Sequence, residues 1–338
     1  MMYSKKVKPE VVVDEDSRRC GLLCVFILLS NAAIVYVIYT TSFTEIWETA
    51  SIPELRDTDE TPFPVENVTI PAALMGRNVT ASCSADRVHT LFFFHTDASH
   101  RKRRDLYRKT SLHENLKRRF HWEAVYFVAL RNNSTLQEHL LQEGGKYGDI
   151  VQLQYEEHYF NLTYKFVLGM QWVSRHCSQA KLIAKLDDDV FFYPKQAVSF
   201  LQEYARSDDS MYCLPIKRKV LSEFYNQCRL GKLSGKHCDV VFTLQMHEIH
   251  AFCTGICIFF RSIMIGPLLR AAYYVPYMPA DDMYVTNYLR SLAGFKMKTL
   301  RPNLTYDARG LPSFISLLHP YNESTFLTLW KDASQSIK

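Results

Sequence analysis

Lys181–Phe192 reads KLIAKLDDDVFF, and the fold follows from how that stretch is parsed. Lys181–Leu186 is apolar enough for a buried strand, Asp187, Asp188 and Asp189 stand at its carboxyl end, and Val190-Phe191-Phe192 resumes the apolar run. In open α/β sheets, ligands sit beyond the carboxyl ends of strands. Three adjacent acids there repel one another, and a bound cation relieves that repulsion. Mg²⁺ and Mn²⁺ prefer hard oxygen ligands of this kind. Such an ion would bridge to a diphosphate and neutralise charge as that group leaves. The bare D-x-D pattern is weak, because it recurs at Asp14–Asp16 and Asp57–Asp59, where solvated charge explains it. Of the three, only Asp187–Asp189 follows a buried strand.

Working outward, the same alternation continues. Val88–Thr96 (VHTLFFFHT) reads as a buried parallel strand, Lys102–Arg119 as a charged helix, Ala124–Leu130 as a strand, Ser134–Gln142 as a short helix and Asp149–Leu153 as a strand. Asn161–Cys177 sets Leu162, Phe166, Met170 and Val173 on one helical face, a packing stripe. Downstream, Pro194 opens a helix running to about Arg206. Asp281–Ala293 reads as a helix closed by Gly294 and followed by the strand Phe295–Leu300. Strands alternating with helices predict an α/β domain with a mostly parallel sheet, and no internal repeat interrupts it.

The N-terminal region is built differently. Cys20–Tyr39 (CGLLCVFILLSNAAIVYVIY) is twenty residues without a charge, the length that crosses the hydrocarbon core. A buried core helix would show a polar face. A cleaved signal peptide would have a shorter apolar region and a small-residue cleavage site. An uncleaved anchor is the expectation. Lys5, Lys6, Lys8, Arg18 and Arg19 precede the span and no Lys or Arg follows until Arg56, so the N-terminus stays cytosolic. Asn67, Asn78, Asn132, Asn133, Asn161, Asn303 and Asn322 head N-x-S/T sequons, all on the expected lumenal side. Thr40 to about Ala85, rich in Thr, Glu, Asp and Pro, suits an extended stem. The expected layout is a tail at 1–19, a span at 20–39, a stem at 40–85 and a catalytic domain at 86–338.

Beyond the span, seven cysteines remain: Cys83, Cys177, Cys213, Cys228, Cys238, Cys253 and Cys257. An odd number leaves at least one free or paired between chains, and sequence does not give the connectivity. Zinc is disfavoured, since no pair of C-x-x-C units occurs and Cys253 and Cys257 share a strand-like run. With 338 residues, 47% of them hydrophobic, and a net charge of +5 interspersed with acids, the chain lacks the dense basic face of a nucleic-acid binder.

Two further charged clusters have competing readings. Asp281-Asp282 opens a helix, where acids cap and complement the dipole, but a positioned carboxylate could equally deprotonate an acceptor hydroxyl. Arg101-Lys102-Arg103-Arg104 reads as a processing site, a solvated helix face or an anion-binding cluster beside the first strand.

Six blocks, in order, carry a resemblance: RRDLYRKT (Arg103–Thr110), YGDIVQLQYEEHYFNLTYKFVLGMQWVSRHC (Tyr147–Cys177), KLDDDVFF, FCTGICIFFRS (Phe252–Ser262), PADDMYVTNYL and HPYNESTFLTLW (His319–Trp330). Together they resemble the β-1,3-galactosyltransferase-like family, glycosyltransferase family 31, over roughly Thr90 to Trp330. The resemblance implies a GT-A fold, a UDP-sugar donor, Mn²⁺ (or Mg²⁺), and inverting transfer of galactose or N-acetylglucosamine to a glycan on a glycoprotein or glycolipid. It implies metal ligation by Asp189, with Asp187 and His319 as further ligands. Asp187 and Asp188 would place ribose and diphosphate, Arg104 and Arg108 would contact the donor, and Asp282 would be the base with Asp281 its neighbour. The span and its basic flank make the chain a single-pass type II membrane protein, and the resemblance together with the anchor-plus-stem layout implies the Golgi, with homo- or hetero-oligomers left open. The sequence departs from the family at His158, at Cys257 in place of a glycine, at Asn287 and around Phe224–Leu244. Cys257 and the unusual acceptor region motivate a second class, a non-catalytic relative that binds glycans or escorts another transferase. A third class, an aspartate-based phosphatase, would need its D-x-D on the first strand, whereas three strands precede it here.

Overall fold

The computed structural model describes residues 83, 88–204, 209–242, 251–300, 315–318 and 321–337. The expected tail and span, nearly all of the stem, His319, and the sequons at Asn67, Asn78 and Asn303 lie outside these described residues. Among the described residues no helix is long and apolar enough to cross a membrane.

The centre is a seven-stranded sheet in the order β3-β2-β1-β4-β7-β6-β8. Its strands are β1 (Thr90–His95), β2 (Trp122–Leu130), β3 (Ile150–Glu156), β4 (Leu182–Asp187), β6 (Ser210–Lys217), β7 (Ala251–Arg261) and β8 (Lys296–Thr299). β7 alone runs against its neighbours β4 and β6, and the other pairs are parallel. The mostly parallel α/β sheet expected from the alternation is what forms. The order builds outward from β1 to β3 on one side and restarts with β4 on the other. The carboxyl ends of β1 and β4 therefore flank a topological switch point.

Pleating divides the core. Phe92 and Phe94 turn to one face, where Tyr107, Trp122, Tyr126 and Phe192 meet them. Phe93 turns to the other face against Phe127 and Phe166. On that face lies α4 (Leu162–His176), where Phe166, Met170 and Val173 of the expected stripe are fully buried, whereas Leu162, at the helix start, is half-buried and lines the cleft described below. A Cβ on Gly169 would lie 2.2 Å from Phe93 Cζ, so the helix approaches β1 only because that position lacks a side chain.

The charged helix expected over Lys102–Arg119 is two helices, α1 (Arg101–Lys109) and α2 (Glu114–Phe120). Thr110 Oγ1 donates to Leu106 O at 2.5 Å and Thr110 leaves helical geometry, while His113 caps the second helix by accepting from Asn115 N. α3 (Ser134–Tyr147) runs past its expected end, through Gly144 and Gly145, and stops at Gly148 with φ of 68°. After β4, the two-stranded pair β5 (Val190–Phe192) and β9 (Ile315–Leu317) brings the C-terminal segment back to the acids, where Leu318 N donates to Asp189 O at 2.7 Å. α5 (Pro194–Tyr204) follows β5 as expected.

Three disulfides form: Cys83–Cys177, Cys213–Cys253 and Cys228–Cys238, leaving Cys257 free and buried among the described residues. Cys83, from the end of the expected stem, is thereby tied into the core. Cys228–Cys238 joins α6 (Arg218–Arg229) to α7 (Lys236–Phe242), a helical hairpin between β6 and β7. α8 (Ile265–Ala272) covers the α4 face. The helix after Pro279 begins as α9 (Asp281–Met283), widens to a π-helical stretch at Tyr284–Leu289 and ends at Arg290–Leu292. α10 (Glu323–Gln335) packs Phe326 onto Phe191 and Tyr107.

Gly169→Ala is expected to lower unfolding stability by about 1–3 kcal/mol through overpacking against Phe93. Urea denaturation checks this; an unchanged midpoint would show that Phe93 moves aside freely.

Candidate active site

A cleft of about 620 Å³ opens at the carboxyl ends of β1 and β4, and Asp187, Asp188, Asp189, Asp281 and Asp282 all line it. The three consecutive acids have different surroundings. Asp188 is buried and captured by the loop after β1. Thr96 Oγ1 donates to Oδ2 at 2.5 Å, His100 Nδ1 to Oδ2 at 2.7 Å and Arg103 to Oδ1 at 2.5 Å. Burial alone would raise its pKa, but the His100 hydrogen bond and the charge of Arg103 overcome that and hold it below the usual carboxylate value. Asp187 and Asp189 are half-buried. Asp187 accepts from Lys185 Nζ at 2.7 Å, and that buried ammonium also donates to Gly255 O at 2.6 Å and lies 3.9 Å from Asp281.

Asp281 and Asp282 reach the cleft from the helix start after Ala280. Asp281 Oδ2 is buried 3.4 Å from His95 Nδ1 and has no hydrogen-bond partner among the described residues. Burial followed by the nearby Lys185 and Lys165 charges keeps His95 neutral. Asp282 accepts from Gly255 N at 3.2 Å and from Met283 N at 2.7 Å. Burial, then the adjacent Asp281 charge, pushes the Asp282 carboxyl up to about 7. The wide helical stretch behind it has a visible cause. Thr286 Oγ1 donates to Asp282 O at 2.6 Å while accepting from Cys253 N, and Arg290 Nε donates to Thr286 O at 2.6 Å. Side chains thus occupy carbonyls that α-helical bonds would otherwise use.

Arg104 and Arg108 are not brought to the cleft, which corrects the expectation that they contact the donor. Arg104 is fully buried, donates to both oxygens of Glu143 at 2.8 Å, and holds the β1–α1 loop through Asp97 O and Ala98 O. Arg108 is bidentate to Asp149, bonded to Glu143 and stacked over Tyr147. Arg103, one residue around the helix, does reach the cleft, as does Arg131, and its guanidinium lies over the Tyr321 ring at 4.3 Å. His95, His100, Lys165 and Lys185 also belong to the site and were missed from sequence. Lys185 had a signal: an ammonium inside an otherwise apolar strand needs an acidic partner.

Among the described residues no group of three His, Cys, Asp or Glu side chains converges as a metal cage. Asp187 and Asp189 nonetheless offer hard oxygens to the cleft, and Mg²⁺-type ions are commonly held by one or two carboxylates plus substrate phosphates. The donor set therefore fits such an ion bound together with a diphosphate. Asp188, with both oxygens engaged, is not part of that set.

The family model described as galactosyltransferase matches residues 102–301, more than half of the chain. This chain belongs to the galactosyltransferase family. It is 25% identical to human beta-1,3-galactosyltransferase 5 over 207 residues, covering 58% of this chain and 62% of that protein. It is 26% identical to human N-acetyllactosaminide beta-1,3-N-acetylglucosaminyltransferase 3 over 213 residues, covering 62% and 55%. The chain thus spans between 55% and 62% of the length of these two relatives. A shorter match, 30% over 128 residues, links it to lactosylceramide 1,3-N-acetyl-beta-D-glucosaminyltransferase of Xenopus tropicalis, covering 36% of this chain and 34% of that one. Among solved structures, the galactosyltransferase LgtC in complex with donor and acceptor sugar analogs aligns at a TM-score of 0.37 and 12% identity, covering 72% of this chain and 95% of that one.

Arg104→Ala is expected to destabilise the fold by about 3 kcal/mol or more, because a buried carboxylate loses its partner. A denaturation midpoint within experimental error of wild type would refute the role given to this pair.

Proposed function

We propose that this chain is an inverting hexosyltransferase that moves galactose or N-acetylglucosamine from a UDP-sugar to a glycan hydroxyl, forming a β-1,3 linkage with Asp282 as base. The observation that carries this reading is Asp282 itself. It is a carboxylate at the cleft, fixed by two backbone N–H groups, with its pKa raised to about 7, facing the side where the acidic triplet stands. Membership of the family and the names of its relatives support the chemistry.

In this reading the donor's diphosphate lies at Asp187 and Asp189, and the sugar lies between them and Asp282. The acceptor oxygen attacks the anomeric carbon while Asp282 removes its proton, and the bond from that carbon to the UDP oxygen breaks with its electron pair leaving on UDP. One base and one displacement invert the anomeric carbon without a covalent enzyme intermediate. Mn²⁺ or Mg²⁺, when bound at Asp187 and Asp189, neutralises charge on the departing diphosphate; His319 is proposed as a further ligand. Asp281 and Lys185 act behind this pair. Lys185 lies between Asp187 and Asp281 and limits the repulsion between the two acidic sides. The expected anchor, stem and sequons support a single-pass type II protein of the Golgi membrane, with the acceptor on a glycoprotein or glycolipid. Cys257, one origin of the non-catalytic alternative, is fully buried and does not line the cleft.

The test is UDP release by the full chain in lipid nanodiscs, with Mn²⁺, UDP-galactose or UDP-N-acetylglucosamine, and a panel of glycan acceptors. Turnover with one donor is expected, lost on chelation and in Asp189→Ala. A folded protein that binds UDP but turns over no acceptor would overturn the reading.

A base must be deprotonated, so kcat/KM is expected to rise with pH, about tenfold per unit below pH 7, and to level off above it. Asp282→Asn should lower kcat by roughly 10²–10⁴-fold. A flat profile between pH 5.5 and 8 would remove Asp282 from the role.

A further inference from the structure

Most hydrogen-bond donors that line the cleft are committed to acids. Thr96, His100 and Arg103 bond Asp188, Arg131 pairs with Asp97, Lys165 with Glu157 and Lys185 with Asp187. The Tyr159 hydroxyl is held differently. It comes from the turn Tyr159–Asn161 that leads into α4, and it shares a hydrogen bond of 2.6 Å with Nδ1 of His237, a residue of α7 that also lines the cleft. The two rings meet edge to face with centroids 5.3 Å apart, and Lys236 Nζ lies over the Tyr159 ring at 4.3 Å. Among the described residues this hydroxyl has no other hydrogen-bond partner.

Its surroundings suit it to a task. Burial first, then the charges of Asp282, Asp281 and Asp187, push the phenol well above its ordinary value, so it keeps its proton beside the proposed base. None of those three carboxylates bonds it: Asp282 accepts from Gly255 N and Met283 N, and Asp187 from Lys185. A protonated donor near a carboxylate, yet not bonded to it, suits a sugar ring. One hydroxyl faces the base while a neighbouring oxygen accepts from the donor, and two such contacts fix the ring's orientation.

Resting on the transferase reading above, we infer that Tyr159 orients the acceptor sugar by donating to an oxygen beside the hydroxyl that Asp282 deprotonates, and that His237 occupies this donor until the acceptor displaces it. The exchange replaces one hydrogen bond by another, and a single such bond shifts an equilibrium by roughly two- to tenfold. His237 is therefore a competitor built into the cleft, and the apparent affinity falls with the fraction of molecules in which it holds Tyr159. Its own element is firmly placed, because Cys238, the next residue, is bonded to Cys228 of α6.

The experiment uses the full chain in nanodiscs with Mn²⁺, UDP-galactose or UDP-N-acetylglucosamine, and methyl β-galactoside or methyl N-acetyl-β-glucosaminide as acceptor. His237→Phe keeps a ring against Tyr159 and removes the nitrogen, so KM for the acceptor is expected to fall by roughly two- to tenfold. Tyr159→Phe keeps the ring under Lys236 and removes the hydroxyl, so KM for the acceptor is expected to rise about threefold or more. The double variant should match Tyr159→Phe alone, since His237 competes only for that hydroxyl. KM for the UDP-sugar should stay within about twofold throughout, a split that general loosening of the hairpin does not produce. Thermal denaturation checks folding, and His237→Leu carries the same expectation where phenylalanine is not accommodated. An acceptor KM that loss of the imidazole leaves unchanged or raises, an effect of His237→Phe that persists without the Tyr159 hydroxyl, or a donor KM that moves in parallel would overturn the proposal. If neither glycoside turns over, the transferase reading fails separately, and calorimetric binding of the same two glycosides decides this inference. Tighter binding in His237→Phe sustains it, and equal, weaker or absent binding ends it.

Discussion

The capture of one buried carboxylate organises this molecule. Asp188 stands at the switch point of the sheet, and a carboxylate without partners in that position would be strongly destabilising. Thr96, His100 and Arg103 supply those partners, all from the chain that leaves β1. The interaction therefore welds the carboxyl ends of two strands that are adjacent in the sheet and far apart in sequence. The loop is gripped from behind as well. Arg104 holds Asp97 O and Ala98 O, and Lys165 donates to Thr96 O while pairing with Glu157. Charge-assisted bonds from several directions give this loop little freedom, so the cleft it borders is set by the scaffold.

That capture also explains how three identical side chains in a row come to differ. All three line the cleft, but Asp188 is buried with both oxygens engaged, whereas Asp187 and Asp189 stay half-buried. Lys185, two residues earlier on the same strand, pairs with Asp187 and looks toward Asp281. Its single positive charge sits among acids from β4 and from the helix after Pro279. Burial lowers the Lys185 pKa, but the Asp187 and Asp281 charges raise it further, so the ammonium stays charged. Asp282 is left with less compensation, and its proton affinity rises into the neutral range.

Much of this was legible in the sequence because the decisive signals are local. A buried strand ending in acids, the Pro-Ala-Asp-Asp helix start and the alternation of strands with helices each need only neighbouring residues. What was not legible depends on rotation and distance. Arg103 and Arg104 are indistinguishable in a run of four basic residues, yet a helix turns by about 100° between them. One therefore meets Asp188 and the other Glu143. Thr110 carries no sequence mark of its own that would split α1 from α2; the break comes from its hydroxyl bonding to Leu106 O. The α6–α7 hairpin was noticed only as unusual, since its shape rests on the Cys228–Cys238 bond and on Tyr159, 78 residues from His237.

Cys257, where the family resemblance implies a glycine, shows why position within one strand matters more than agreement with a motif. Cys257 lies opposite Leu186 in the β4–β7 pairing, fully enclosed, and burial pushes its thiol well above the ordinary value. It fills core space and has no access to substrate. Gly255, two residues earlier, is the glycine that remains. Its N–H donates to Asp282 and its carbonyl accepts from Lys185. A Cβ there would lie 3.7 Å from Asp282 Oδ2 and 3.6 Å from Lys185 Nζ. Both distances are ordinary van der Waals contacts, so what Gly255 contributes is its backbone: one N–H for Asp282 and one carbonyl for Lys185.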